Sequence, residues 1–552
     1  MSPLKVEQAP TSHSLPRLSL LEQHDELQLE LPDEEEEVRR REESSSKAAA
    51  DLARVASVEK KERCTSARAV SERVRKEREA MLSPSLSLLY EEPLHIVRGE
   101  NCHLFDLEGN KYLDGVNNVP HVGHSNKRVA EAVSKAMYNL NTNTRYIRSD
   151  IVSYSKELLA MFPPSLEIIH FCNSGSEAND LALRIAREAG RSSGRTDVVV
   201  MNGAYHGHTA SCIDISPYKF DRSGGNGKPE TTHIMPFPDT CRKFHMSGDL
   251  ESKKVLKRAK QKDRKVCAFL SESMLSCGGQ VILPDGYLKE VYANMREAGA
   301  ICIADEVQCG FGRSGSHFWG FQTQGVTPDV VVLGKSIGNG FPLSAVVTTR
   351  KLAKTFANGM EYFNTFGGCN AAIAAGHAVL KVLKEEKLKD NADRLGKYVL
   401  DALREDLMKY DFVGDVRGKG LFIGIEFVTD SKNLLYAPHL AKYVCNRIKN
   451  RRVLLNTDGM HSSVIKIKPP VTFSLQNAKE LVATIKKVLA DDLTQAKLSE
   501  LKRKDIEYNK RLYPAKKKAG SLRREELVSY STAVSAAAVL AWQLCGGSSY
   551  FI

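Results

Sequence analysis

The chain is 552 residues long, 42% hydrophobic, and carries a formal net charge of +12. A chain of this length buries a large core in more than one domain, and it holds no run of roughly 18 apolar residues, which excludes a membrane-spanning helix. Much of the positive excess is gathered late, at Lys502, Arg503, Lys504, Lys510, Arg511 and residues 516–518; that is the pattern of a solvated charged segment and argues against nucleic acid as a partner.

Residues 1–77 combine the acidic run 33–37, serines 44–46 and alanines 48–50 with little apolar periodicity. They read as a low-complexity extension, disordered or loosely helical, that cannot build a core. The same acidic block argues against a matrix-targeting peptide. Residues 103–115 (HLFDLEGNKYLDG) predict two short strands around a Glu-Gly-Asn turn. The runs 198–201, 266–270, 300–304 and 330–333 are continuously apolar, as strands buried on both faces of a mostly parallel sheet are. Helical patterns such as 288–298 separate them, which is the alternation of an α/β domain. A second α/β segment follows, with a long helix at 371–385 and a strand at 420–427. The expected division is therefore an extension (1–77), the N-terminal part of a small domain (78–135), a large domain (136–373), the C-terminal part of the small domain (374–490), and a charged helix and tail (491–552). The apolar stretch 535–545 of that tail is too short to cross a membrane. Twelve scattered cysteines without a CxxC pair predict reduced, buried thiols in an intracellular protein, soluble in the mitochondrial matrix or the cytoplasm.

Five motifs carry chemistry. In residues 171–187 (FCNSGSEANDLALRIAR), Asn-Ser-Gly-Ser stands directly before a periodic helix. The free N–H groups and dipole of a helix N-terminus make a phosphate seat, although an ordinary Ser cap explains the same letters. Residues 204–208 (AYHGH) follow a strand and offer an aromatic ring to a flat ligand. The two histidines of this motif, and His121 and His124, lack supporting carboxylates or thiols, so no metal is expected. Residues 300–313 (AICIADEVQCGFGR) bring Asp305 to the carboxyl end of a buried strand, with Gln308 just beyond; ligands of open α/β sheets sit at such ends. Residues 329–342 (DVVVLGKSIGNGFP) deliver Lys335 in the same way; lysine is rarely buried without a role, and a desolvated ε-amine can form a Schiff base. Residues 362–370 (YFNTFGGCN) place Thr365 before two glycines, where a backbone can approach a phosphate. Amine, carboxylate, phosphate seat and stacking ring together match pyridoxal 5'-phosphate.

In these motifs the sequence from about 84 to 490 resembles the class III pyridoxal-phosphate enzymes of the aminotransferase type, fold type I. The resemblance implies a large domain with a mostly parallel central sheet plus a smaller α/β domain. It implies Lys335 as the Schiff-base lysine, Asp305 as partner of the pyridine nitrogen, Gln308 near the ring hydroxyl and Tyr205 on the ring face. Gly175 and Ser176 would hold the cofactor phosphate, Glu272 would lie close by, and Thr365 would reach the cofactor of a neighbouring subunit in a homodimer or a tetramer built on it. Arg417 matches the arginine that grips a substrate carboxylate. Because Cys277 stands where related transaminases carry a carboxylate, Arg417 is expected to be free for an anion.

Within the class, NNVPHVGH (117–124), LNTNTRYI (140–147), SPYKF (216–220), ESMLSCGGQ (272–280) and EYFNTFGG (361–368) are most similar to the phospho-lyase branch, the ethanolamine-phosphate and 5-phosphohydroxy-L-lysine phospho-lyases also called alanine–glyoxylate aminotransferase 2-like proteins. That likeness implies a small phosphorylated amine as substrate, with Arg145 and Asn118 as candidates for holding its phosphate. Phe341 before Pro342, and Ser125-Asn126-Lys127, depart from the branch toward the aminotransferases. The alternative is an aminotransferase of alanine–glyoxylate or ω-amino type. The intact Lys335, Asp305, Gln308 and Ser176 argue against a non-catalytic scaffold.

Overall fold

The structure, a computed structural model, describes residues 67–512. The acidic, serine and alanine runs of the extension, the basic residues 516–518 and the apolar stretch 535–545 lie outside the described residues. Within Met1–Met81 one helix is described, Ala67–Met81, with no buried residue.

Within Leu82–Ile552 the strands in chain order are β1 (Ile96–Glu100), β2 (His103–Asp106), β3 (Lys111–Asp114), β4 (Ile168–Cys172), β5 (Asp197–Met201), β6 (Thr232–Met235), β7 (Val266–Glu272), β8 (Ile301–Asp305), β9 (Val330–Leu333), β10 (Ser344–Thr348), β11 (Val413–Gly418), β12 (Ile423–Phe427), β13 (Val453–Leu454), β14 (Asn456–Asp458) and β15 (Val464–Ile467). Seven of them form the central sheet in the order β4-β10-β9-β8-β7-β5-β6. Only β10 runs antiparallel to its neighbours, so the sheet is mixed but mostly parallel. The four apolar runs seen in the sequence are its middle strands, and all five residues of β5 are buried.

Alternation explains why both faces of such runs are apolar. Val198 and Val200 pack on one side with Ala178, Leu181 and Ile185 of the helix Gly175–Gly190. Val199 and Met201 pack on the other with Val255 of the helix Gly248–Gln261 and Leu288 and Val291 of the helix Tyr287–Glu297. The expected hairpin in 103–115 is β2 and β3, and β13 pairs in parallel with β3 to close a small sheet, β1-β2-β3-β13. A third sheet has the order β11-β12-β15-β14. The charged segment after 490 is not merely solvated. The helix Gln495–Leu512 buries Leu498, Leu501, Asp505 and Asn509, and the Asp505 carboxylate accepts the backbone N–H groups of His439 and Leu440 at the start of the helix Pro438–Asn450.

Among the described residues no helix is long and apolar enough to cross a membrane, and no group of three or more His, Cys, Asp or Glu side chains is placed to hold a metal. The ten described cysteines are free, and all but Cys241 are buried. Two of the histidines considered for a metal bond elsewhere. His121 lies fully buried, with Nε2 on the Phe311 carbonyl at 2.8 Å and Nδ1 facing Arg313 and Ser336. His124 bonds Asp114 at 2.7 Å.

Burial, then the neighbouring Arg313, holds His121 down at about 3. Burial, then Arg242, does the same to His461, also to about 3. Below the ordinary histidine value of about 6.5 the unfolded chain takes up these protons and the folded chain does not, so stability drops as pH falls from there toward about 3. The expected slope is about 1.4 kcal/mol per pH unit for each histidine. Urea midpoints measured from pH 7 to pH 5 check this, and His461→Phe should flatten the slope; an unchanged slope would count against a neutral His461.

Candidate active site

Four neighbouring parallel strands, β5, β7, β8 and β9, each deliver a polar group from the same end of the sheet. Tyr205 and His206 follow β5, Glu272 ends β7, Asp305 ends β8 directly opposite Glu272, and Lys335 comes two residues after β9. Tyr205, His206, Asp305 and Lys335 meet at a cavity of about 270 Å³ whose lining also includes Ser174, Gly175, Ser176, Val307 and Gln308.

Asp305 is buried and heavily held. Its Oδ2 accepts from His206 Nδ1 at 2.8 Å and Asn179 Nδ2 at 2.9 Å, and its Oδ1 accepts from the Val307 N–H at 3.0 Å. Burial alone would raise its carboxyl. The His206, Asn179 and Val307 bonds outweigh burial and keep it below the usual carboxylate range. A carboxylate offers about four lone-pair sites. Three are taken, which leaves one on Oδ1 for a further donor.

Lys335 opens the single turn Lys335–Ile337 and is half-buried, with φ at +40°. A non-glycine residue in that region is strained, and such strain gathers where the surrounding structure dictates a side chain's position. Gly334 precedes it in extended backbone, where a Cβ would lie 3.2 Å from Val307.

The helix Gly175–Gly190 starts beside the same cavity. Ser174 caps it, accepting from the Glu177 N–H at 3.2 Å. Ser176 Oγ accepts from the His208 N–H at 3.0 Å. Gly207 has φ +134°, and a Cβ there would come within 2.6 Å of Ser176 Oγ, so the turn behind the helix start admits only glycine. The fully buried Glu272 takes the Ser276 N–H at 3.0 Å and the Tyr205 N–H at 3.4 Å, and burial pushes its carboxyl up. Gln308 Oε1 accepts from Asn118 Nδ2 and from Lys468 Nζ, each at 2.9 Å.

A ligand with an N–H at one end, a flat ring and a phosphate at the other matches this donor and acceptor set. A match to Aminotransferase class-III spans residues 89–489. The chain belongs to aminotransferase class III. Its cofactor is pyridoxal 5'-phosphate, and its fold is the α/β fold type I of that class. It is 43% identical over 411 residues to "Alanine--glyoxylate aminotransferase 2-like" of Drosophila melanogaster, covering 72% of this chain and 83% of the other. It is 37% identical over 439 residues to "Ethanolamine-phosphate phospho-lyase homolog 1" of Caenorhabditis elegans, covering 76% and 93%. Among solved structures, an Arthrobacter phospholyase in complex with phosphoethanolamine aligns with a TM-score of 0.71 at 37% identity, over 76% of this chain and 99% of that one.

Gly175, Ser176, Tyr205, Asp305, Gln308 and Lys335 line this one cavity, and Glu272 stands beside it through its bond from the Tyr205 N–H. Three expected residues stand differently. Arg145 is exposed, pairs with Glu361 at 3.3 Å and stacks at 3.9 Å on Phe363. Asn118 is engaged with Gln308. Arg417 is buried but not free. Its Nη1 donates to Glu426 at 2.7 Å and Asp415 at 3.1 Å, and Nε and Nη2 donate to the carbonyls of Gly279 and Gln280. The carboxylate missing at Cys277 is supplied by β12, where hydrogen-bonded pairing sets Glu426 opposite Asp415 and so beside Arg417. Thr365 is exposed and outside the cavity lining. The sequence reading missed His206 and Asn179 as holders of Asp305. His206 stood inside the AYHGH motif, next to the residue chosen for the ring.

Proposed function

We propose that this class III enzyme is a phospho-lyase that removes phosphate and ammonia from a small phosphorylated amine, phosphoethanolamine or 5-phosphohydroxy-L-lysine. The observation that carries this reading is the engagement of Arg417. All three of its nitrogens already donate, two carboxylates neutralise it, and they hold its guanidinium above its ordinary value against the effect of burial. An α-amino acid donor such as alanine needs a free arginine for the carboxylate on its reacting carbon. In both phosphorylated amines, the carbon bearing the reacting nitrogen carries no carboxylate. The likeness to the Arthrobacter phospholyase with phosphoethanolamine supports the same choice.

Pyridoxal phosphate, when bound, supplies an electron sink for the carbon next to the reacting nitrogen. The chain does the rest. The start of the helix Gly175–Gly190, with Ser176, would seat the cofactor phosphate. Asp305, kept ionised by His206 and Asn179, would hold a proton on the ring nitrogen. Tyr205 and Val307 would confine the ring. Lys335 would take the proton from the carbon bearing the substrate nitrogen, at an ε-amine that the strained turn aims into the cavity. Loss of that proton and of phosphate from the next carbon, followed by water addition, balances as phosphoethanolamine plus water giving acetaldehyde, ammonia and phosphate. An aminotransferase would keep the nitrogen; Phe341 in the cavity lining is the feature on that side.

The holoenzyme given phosphoethanolamine alone is expected to release phosphate and acetaldehyde in equal amounts. Product that forms only after pyruvate or glyoxylate is added would instead establish transamination.

We further propose that a second copy of the chain covers the face around Thr365. Tyr146, Ile147, Met360, Phe363 and Phe366 are large apolar side chains left exposed on the segments around Arg145 and Glu361, and the Arg145–Glu361 pair ties those two segments into one surface. Sedimentation should give a dimer at micromolar concentration. A monomer that remains fully active would rule out any need for the partner's Thr365.

A further inference from the structure

Behind Gln308 lies a buried amine that the proposed chemistry does not use. Lys468 follows β15 and is 1% exposed. Its Nζ donates to Gln308 Oε1 at 2.9 Å and to Ser276 Oγ, and it sits 5.3 Å from the centre of the Phe422 ring. Among the described residues no carboxylate forms an ion pair with it. A buried ammonium without a carboxylate is costly, and burial, with Lys466 beside it, pushes this amine down to about 7.

Donor counting says what it holds. In its charged form, held below about pH 7, the amine has three N–H groups and no lone pair, so the group that faces it in the Gln308 amide is then the oxygen, as the structure places it. Asn118 Nδ2 donates to that same oxygen from the loop after β3. Two donors from opposite ends of the chain therefore fill both lone pairs of Oε1. The amide cannot turn over without setting N–H against N–H. Its Nε2 is left pointing away from Lys468, toward the Cys277 sulfur at 3.9 Å, a weak acceptor. Gln308 lines the cavity, so it offers the cavity a donor and calls for an oxygen acceptor there.

We propose that Lys468 is a positioning residue: by donating to Gln308 Oε1 it holds the Gln308 amide with Nε2 toward the ring oxygen of pyridoxal phosphate. This rests on the reading that Gln308 meets that oxygen. Negative charge on the ring oxygen lies beside the nitrogen that joins Lys335 to the cofactor. With its donor lost, the oxygen attracts the proton on that nitrogen more strongly, and the proton leaves at higher pH.

The test is the pH titration of the holoenzyme's visible absorption band, with cofactor affinity and thermal unfolding measured alongside. In Lys468→Met the midpoint should rise by about one pH unit or more, the worth of one hydrogen bond to a charged oxygen. Gln308→Leu should give the same rise, and the double variant no more than either alone, since both remove one interaction. A midpoint unmoved in Lys468→Met but raised in Gln308→Leu overturns the role of Lys468 and spares that of Gln308. A midpoint unmoved in Gln308→Leu overturns the reading of Gln308 itself. Additive rises would mean that Lys468 acts by charge alone and would also overturn the proposal. A merely structural lysine would lower the unfolding temperature without moving the midpoint. If Lys468→Met does not fold, Lys468→Leu, which also removes the amine from Gln308 Oε1, must raise the midpoint, and no rise there overturns the proposal equally.

Discussion

Lys335→Ala is expected to release phosphate from phosphoethanolamine at least about 10⁴-fold more slowly than the parent enzyme, the combined worth of a covalent anchor and a positioned base. The fold should survive, because Lys335 is only half-buried and sits in a one-turn segment between β9 and β10. The variant can still hold pyridoxal phosphate through the phosphate seat and Asp305, but not through carbon–nitrogen bonding. Borohydride treatment should therefore fix the cofactor to the parent enzyme at Lys335 and leave none on the variant. Added methylamine or ethylamine should restore part of the rate by supplying the missing base. Turnover near the parent level, or borohydride labelling of another lysine, would take the role away from Lys335.

Sequence patterns carried the middle of the molecule and failed at its joints. Strands β5, β7, β8 and β9 were legible because both faces are covered and their central positions form unbroken apolar runs. Their ends, with Asp305 and Lys335, were legible because a charged residue closing such a run must have a purpose. β10 was not read: it is five residues long, follows a glycine-rich turn, and its antiparallel direction depends on pairing with β4 far upstream. The same distance in sequence hid the polar shell. Lys468 and Asn118 lie 160 and 190 residues from Gln308, and no local spacing links them. The partner of Arg417 is a different case. Residues 413–427 contain two apolar-flanked strands joined by a short glycine-bearing turn, and a hairpin register sets Glu426 across from Asp415 and diagonal to Arg417. That carboxylate was within reach of the sequence. Attention to position 277 alone made the arginine look free.

Asp305→Asn separates charge from shape at the other end of the ring, and turnover is expected to fall by about 10² to 10⁴-fold while the cofactor stays linked to Lys335. The reason lies in the hydrogen bonds already present. His206 Nδ1 and Asn179 Nδ2 both donate to Oδ2, so the amide oxygen of the variant must take that place. Its NH2 must then stand where Oδ1 was, facing the Val307 N–H that Oδ1 had accepted. The single lone pair that Asp305 kept for the ring becomes an N–H. A ring nitrogen meeting an N–H is stabilised without its proton, and an unprotonated ring withdraws electrons poorly. The loss should therefore fall on kcat, with KM for phosphoethanolamine little changed, and the borohydride-reducible linkage should remain complete, unlike in Lys335→Ala. His206→Phe, which removes one of the two donors, should lower kcat in the same direction by a smaller factor. If Asp305→Asn instead turned over at the parent rate, the proton on the ring nitrogen would not be this carboxylate's concern, and the close grip of His206 and Asn179 on Asp305 would serve the fold rather than the chemistry.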